Sequence, residues 1–199
     1  MAIKSENLVT VKHRISAEAR ENSNKHRGGV LWFTGLPGSG KSTLAIETEH
    51  RLFGNGRQVY VLDGDNVRQG LSSDLGFSPE DRTENIRRIG EVASLFADAG
   101  FIVITAFISP YREDRDIARK AAGDMFHEIF IDADIETCER RDPKGHWALA
   151  RAGKILEYTG VSAPYEEPEK PEYVVDTAKL SIDESVGKMI EYIEQNLVD

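Results

Sequence analysis

The stretch Val30-Leu31-Trp32-Phe33-Thr34-Gly35-Leu36-Pro37-Gly38-Ser39-Gly40-Lys41-Ser42 reads as a buried strand, a glycine-rich loop and the start of a helix. Glycines let a backbone turn tightly enough for successive N–H groups to point inward, and the helix that follows adds the positive end of its dipole. That is a cradle for phosphate oxygens. Lys41 supplies a full charge for the β- and γ-phosphates of a nucleotide, and the Ser42 hydroxyl suits Mg²⁺. The competing reading is a glycine-rich turn that binds nothing. It does not explain why every fixed position of the pattern is filled between a strand and a helix.

Outward from this motif, short β-rich runs at 30–34, 58–62, 101–106, 127–131 and 173–175 alternate with helical segments at 41–53, 84–99, 113–122 and 182–197. Such alternation predicts an α/β protein with a mostly parallel central sheet of about five strands and helices on both faces. Ile86, Ile89, Ala93 and Phe96 recur at helical spacing, as do Val186, Met189, Ile190, Ile193 and Leu197, so both sets are expected in the core. Gly54 and Gly56 are expected to end the first of these helices and Gly100 the second, as left-handed caps.

The chain has 199 residues, which fits one domain. Residues 1–27 are polar, with one short helix expected to start at Ser16-Ala17-Glu18-Ala19, and form an N-terminal arm to a domain spanning 28–199. The region 158–172, with Gly160, Pro164, Pro168 and Pro171, is expected to be loop. A formal charge of −9 argues against broad nucleic-acid binding, which relies on basic surface. No apolar run is long enough to span a membrane and no signal-peptide core precedes the domain, so a cytoplasmic protein is expected. The lone Cys138, beside Glu139 and Arg140, reads as structural.

The second strand leads into Asp63-Gly64-Asp65-Asn66 at the carboxyl edge of the sheet, where ligands of such folds bind. Strand alternation would put Asp63 and Asp65 on the same side. There a carboxylate can accept a proton from an attacking hydroxyl or hold water on Mg²⁺; the alternative is an Asp-Gly turn with solvated acids. Arg68, Phe77, Arg82 and Asn85 follow. Arginine forks match phosphate or sulfate and an aromatic ring stacks on a base, so together they describe a pocket for an anionic, aromatic substrate.

The chain resembles the adenylylsulfate kinase family, P-loop enzymes that phosphorylate the 3′-hydroxyl of adenosine 5′-phosphosulfate with ATP. The resemblance is carried by Phe33-Thr34-Gly35-Leu36, Asp63-Gly64-Asp65-Asn66-Val67-Arg68, Leu75-Gly76-Phe77-Ser78, Arg82-Thr83-Glu84-Asn85-Ile86-Arg87-Arg88, Phe107-Ile108-Ser109-Pro110-Tyr111 and Arg140-Arg141-Asp142-Pro143-Lys144-Gly145. It runs on through Ala150-Arg151-Ala152-Gly153, Tyr158-Thr159-Gly160, Pro164-Tyr165-Glu166 and Asp176-Thr177.

By position, the resemblance implies an ATP site of Gly35, Leu36, Pro37, Gly38, Ser39, Gly40, Lys41, Ser42 and Thr43, with Arg140 and Thr177 at the adenine. It implies a substrate pocket of Asp65, Asn66, Arg68, Phe77, Arg82, Asn85, Ile108, Ser109, Lys144 and Tyr158, with Phe77 stacked on the substrate's adenine. Lys41 and Asp63 would be catalytic, Asp63 as general base, with Ser42 holding Mg²⁺ and Asp63 reaching it through water. Ser109 matches a serine described in the family as a candidate phosphoserine intermediate; next to Pro110 it reads more readily as a loop-shaping residue. A lid over about 142–165 and a homodimer are further implications. Departures fall at Pro37, where the family commonly has serine, and at His146-Trp147, in place of a more usual Leu-Tyr pair.

Rival readings are a kinase of another small alcohol, such as gluconate, shikimate or a nucleoside monophosphate, and a catalytically silent nucleotide-binding domain. Phe77 with the paired arginines points away from the first, and retention of Lys41, Asp63 and Arg82 away from the second. A GTP switch would need an Asn-Lys-x-Asp sequence, which the chain does not contain.

Overall fold

Five strands, β1 (Gly29–Thr34), β2 (Val59–Asp63), β3 (Ile102–Ala106), β4 (Phe126–Asp132) and β5 (Tyr173–Asp176), form one sheet in the order β2-β3-β1-β4-β5 in the computed structural model. Every pairing is parallel, with Leu31 opposite Ile104 on one side of β1 and His127 on the other. The structure describes residues 13–198 together with Asn7, Val9 and Val11. Among these residues eight α-helices accompany the strands: α1 (Ala17–Asn24), α2 (Lys41–Gly54), α3 (Gly64–Val67), α4 (Pro79–Asp98), α5 (Arg112–Ala122), α6 (Ile135–Arg141), α7 (His146–Arg151) and α8 (Ile182–Leu197). None of the helices among the described residues is long and apolar enough to cross a membrane.

All six residues of β1 are buried, because alternate side chains feed two cores. Leu31 and Phe33 pack with Leu44, Leu52, Met189 and Ile193 under α2 and α8. Val30 and Trp32 pack with Ile86, Ile89, Ala93 and Ala118 under α4 and α5. The Trp32 indole lies between the rings of Phe107 and Phe126, with centroids 5.9 and 5.7 Å away. Both apolar stripes expected from the sequence thus face the sheet, except that Phe96 and Ile190 are only partly buried.

Several boundaries differ from expectation. Helix α4 starts at Pro79, not at 84, because Ser78 caps it by accepting from the Asp81 N–H (3.2 Å) and proline suits its first turn. Gly56 and Gly100 are left-handed, at φ +77° and +98°, as helix ends favour, whereas Gly54 is simply the last residue of α2. Helices α3, α6 and α7 were not foreseen. Residues 158–172 do carry no helix or strand, only an isolated bridge between Thr159 and Ala163.

The expected helix at Ala17 exists, capped by Ser16. It docks on its own chain: Asn24 donates to the Gly100 carbonyl (3.0 Å), Arg57 to that of Lys25 (2.6 Å), and the Arg27 N–H to that of Leu197 (2.7 Å). His26, buried at this junction, receives the Gln58 N–H at Nε2 (3.0 Å), which leaves Nδ1 to donate to the Arg27 carbonyl (3.0 Å). Burial holds His26 below its ordinary 6.5, with the nearby Arg57 charge acting the same way. Burial likewise lowers His127. Below about pH 6.5 the unfolded chain therefore takes up protons that the folded chain resists, and stability falls as pH drops. The midpoint of urea unfolding is expected to decline between pH 7 and pH 5.5, and His26→Gln to flatten that decline; an unchanged slope would remove His26 from the account.

Candidate active site

The loop between β1 and α2 wraps a point above the carboxyl edge of the sheet. Gly38 is left-handed, at φ +84°, and a Cβ there would lie 2.8 Å from the Cys138 carbonyl oxygen, so only glycine lets the loop pass this close to α6. Lys41 opens α2 and turns its side chain back into the loop, where Nζ donates to the carbonyls of Gly35 (2.8 Å) and Leu36 (2.7 Å) and to Ser39 Oγ (3.3 Å). Burial pulls Lys41 down to about 7; Cys138 and Asp63 oppose the shift and Lys144 adds to it. An anion brought against Nζ would restore its charge.

Ser42 Oγ donates to Asp63 Oδ2 at 2.7 Å, joining the first turn of α2 to the end of β2. The other oxygen, Oδ1, accepts the Asp65 N–H (3.0 Å) and so caps α3. Here the strand-alternation expectation fails: the chain coils into a helical turn at Gly64 instead of staying extended, because the Asp63 carboxylate satisfies the first free N–H of that turn. Asp65 instead pairs with Lys144, which arrives from the segment before α7.

Beyond Asp65 lies the second half of the cavity. Arg68 donates to the carbonyls of Leu75 (3.3 Å) and Gly76 (2.7 Å) and stands 4.5 Å over the Phe77 ring, while Arg82 donates to the Phe77 carbonyl (2.9 Å) and that of Glu157 (3.0 Å). Burial lowers Arg68, and the Arg82 charge adds to this. Two guanidinium groups that disfavour each other are a ready match for an anion. Phe77 is 67% exposed, its ring open to a planar partner. Asn85 is buried, and its Oδ1 meets no protein donor.

From the floor rises the loop after β3. Ser109 adopts φ +40°, in the region non-glycine residues seldom enter, and is held there on both sides. Its Oγ accepts from Trp32 Nε1 (3.1 Å) and its carbonyl from Arg115 Nη1 (2.7 Å). Only 2% of the residue is exposed, and it borders the cavity with its hydroxyl bonded to the core tryptophan. Thr34 ties the same loop to β1 by donating to the Ile108 carbonyl (2.7 Å).

One cavity of about 920 Å³ runs across the whole arrangement. Pro37, Gly38, Gly40, Lys41, Ser42 and Thr43 line one end, and Arg68, Phe77, Arg82, Asn85, Ile108 and Tyr158 the other, with Asp63, Asp65 and Lys144 along it. Ser39 lies behind the loop, fully buried. Asn66 and Arg140 are outside the lining. Arg140 donates to Thr137 Oγ1 (3.2 Å) on its own helix. The neighbouring Arg141, which the sequence reading passed over, lines the cavity and donates to the Thr177 carbonyl (2.6 Å), and the Thr177 hydroxyl in turn donates to the Ser39 carbonyl (2.7 Å). The only hint of this in the sequence is a second arginine beside the first, one helical position on.

Chemically, the arrangement offers an amide-lined anion nest with a lysine, a hydroxyl–carboxylate pair of hard oxygen donors, and a second pocket carrying two arginines, a ring and an unpaired amide oxygen. It can hold two anionic ligands end to end across Asp63.

Comparison with known proteins places these features in one context. Residues 27–176 match the family model described as Adenylylsulphate kinase. An adenylyl-sulfate kinase from Clostridium acetobutylicum is 55% identical over 195 residues, covering 98% of each chain, and one from Geotalea uraniireducens 52% identical over 200 residues, covering 100% of this chain and 96% of the other. Among solved structures, the Mycobacterium tuberculosis APS kinase CysC in complex with AMPPNP and APS is 49% identical with a TM-score of 0.81, covering 84% of this chain and 98% of that one. A gluconokinase from Sinorhizobium meliloti shares the fold at 16% identity and a TM-score of 0.56.

Proposed function

The chain belongs to the adenylylsulfate kinase family, and from that premise we propose how its residues move the γ-phosphoryl of ATP to the 3′-hydroxyl of adenosine 5′-phosphosulfate, giving 3′-phosphoadenosine 5′-phosphosulfate and ADP. The observation that carries the reading is the position of Asp63 between the Lys41 nest and the Arg68–Phe77–Arg82–Asn85 pocket, within one cavity. ATP lies with its phosphates in the loop of residues 35–43, against backbone N–H groups and Lys41. The sulfated nucleotide lies in the second pocket, its adenine on Phe77 and its anionic end met by Arg68 and Arg82. Asn85 Oδ1, buried without a donor, suits the exocyclic amine of adenine.

Phosphoryl transfer asks mainly for placement and for charge at the moving group. Asp63 takes the proton of the 3′-hydroxyl as that oxygen attacks, and Lys41 gathers negative charge on the transferred group. Ser42 Oγ and Asp63 Oδ2, 2.7 Å apart at the mouth of the nest, are the hard oxygen pair expected to hold Mg²⁺ directly or through water. When bound, Mg²⁺ neutralises charge shared by the β- and γ-phosphates. Ser109 shapes the acceptor loop and forms no covalent intermediate, since direct transfer between two bound nucleotides needs no relay and its hydroxyl already accepts from Trp32.

The test is a coupled assay of ADP release with ATP and Mg²⁺. ADP is expected only when adenosine 5′-phosphosulfate is added. Turnover with another alcohol and none with that substrate would overturn the assignment.

A further inference from the structure

Behind the phosphate loop lies a third, small apolar cluster apart from the two beneath the sheet: Ala133, Cys138 and Trp147, with Leu36, Tyr158 and Val161 packed against them. Trp147, 1% exposed, is its centre. Its indole Nε1 donates to the Pro37 carbonyl (3.0 Å), inside the loop that holds ATP. Tyr158 meets its ring in a T-shaped contact at a centroid distance of 5.4 Å, and Gly160 lies so close that a Cβ there would be 2.7 Å from Cη2. Its own N–H donates to Asp142 Oδ1 (3.1 Å), which fixes the turn that carries Lys144 to Asp65. The Trp147 side chain is therefore bonded to the donor loop and packed against one residue of the acceptor pocket, while its backbone holds the turn that carries another.

We infer that Trp147 is a positioning residue that couples the two nucleotide sites. A donor nucleotide that fixes the loop at Pro37 fixes the indole, and the indole sets Tyr158 for the acceptor. Energy passes through a contiguous packed unit, and by linkage each ligand tightens the other by the same factor. The inference rests on the acceptor pocket proposed above, and the test separates the two.

Calorimetry would measure the affinity for adenosine 5′-phosphosulfate alone and with saturating ADP. In the wild-type protein ADP is expected to tighten acceptor binding by about fivefold or more. Trp147→Phe keeps a ring but loses the indole N–H, and its coupling is expected to fall to about twofold or less in a protein that still folds and still binds each ligand alone. Trp147→Tyr, a ring that likewise lacks the indole N–H, is expected to give the same loss and serves if the first variant folds poorly. The emission difference between wild type and Trp147→Phe, free of the Trp32 signal, is expected to change on adding ADP. Wild-type coupling retained in both variants, or no coupling in the wild type, overturns the inference. Failure of the acceptor to bind the wild-type protein overturns the assignment of the pocket itself, and the inference with it.

Discussion

Replacing Asp63 with asparagine is expected to lower kcat about 10²-fold or more, the usual range for losing a positioned general base. Asparagine is the informative substitution because the architecture around Asp63 can survive it. One carboxylate oxygen caps α3 through the Asp65 N–H (3.0 Å), a duty the amide oxygen of asparagine performs nearly as well, and the other accepts from Ser42 at 2.7 Å, where the asparagine NH2 can instead donate to a turned hydroxyl. What the amide cannot do is take a proton from the attacking 3′-hydroxyl. Rate measurements at saturating ATP and acceptor should therefore show the loss in kcat, with the KM for each substrate within a few-fold of wild type. Asp65→Asn is the control: Asp65 is paired with Lys144 and stands farther along the cavity, so its loss should appear mainly in the acceptor's KM. A near-normal kcat in Asp63→Asn would move proton removal to Asp65 or to solvent.

The same carboxylate marks where sequence reading stopped. The strand–loop–helix unit at 30–42 was legible because its glycines, lysine and serine have little other use together, and the five strands followed from their apolar runs to within a residue or two. Asp63 and Asp65 were legible as residues of the site but not in their geometry. Extension of β2 through Asp65 was a fair extrapolation until the Asp63 side chain itself offered a helix cap. Helix α4 was read late because its first two turns are polar, with Arg82 and Asn85 facing the site, so the apolar stripe begins only at Ile86. The cue there was Ser78-Pro79-Glu80-Asp81, a cap, a proline and first-turn acids. In the seven-residue α6, periodicity could not fix which of two adjacent arginines turns inward; about 100° of rotation separates Arg141, bonded to Thr177, from Arg140 on the outer face. Pairings such as Trp147 with Pro37 or Trp32 with Ser109 span 110 and 77 residues and leave no local trace.

Arg115→Met is expected to be the most destabilising single change in the scaffold beneath the acceptor loop. Arg115 and Glu128 are buried and bonded at 2.6 Å, and the same guanidinium donates to the carbonyls of Ser109 (2.7 Å) and Glu166 (2.8 Å). Removing one partner of such a pair leaves the other charge desolvated, a loss of about 3–5 kcal/mol. Arg119, 3.5 Å from the second Glu128 oxygen and itself paired with Glu172, keeps part of the compensation and places the expected loss near the lower end. For a chain of this size that is a drop of roughly 6–12 °C in melting temperature. The double change Arg115→Met/Glu128→Leu removes the stranded charge and should recover much of the stability. It should not recover the acceptor's KM, because Ser109 still lacks the donor that holds its carbonyl at a backbone angle serine seldom adopts. Stability and affinity are thus expected to separate along two lines from one guanidinium: the ion pair keeps the fold, and the bond to Ser109 keeps the loop that borders the proposed acceptor pocket. Equal recovery of both in the double variant would mean that the loop takes its shape from Trp32 and Thr34 alone.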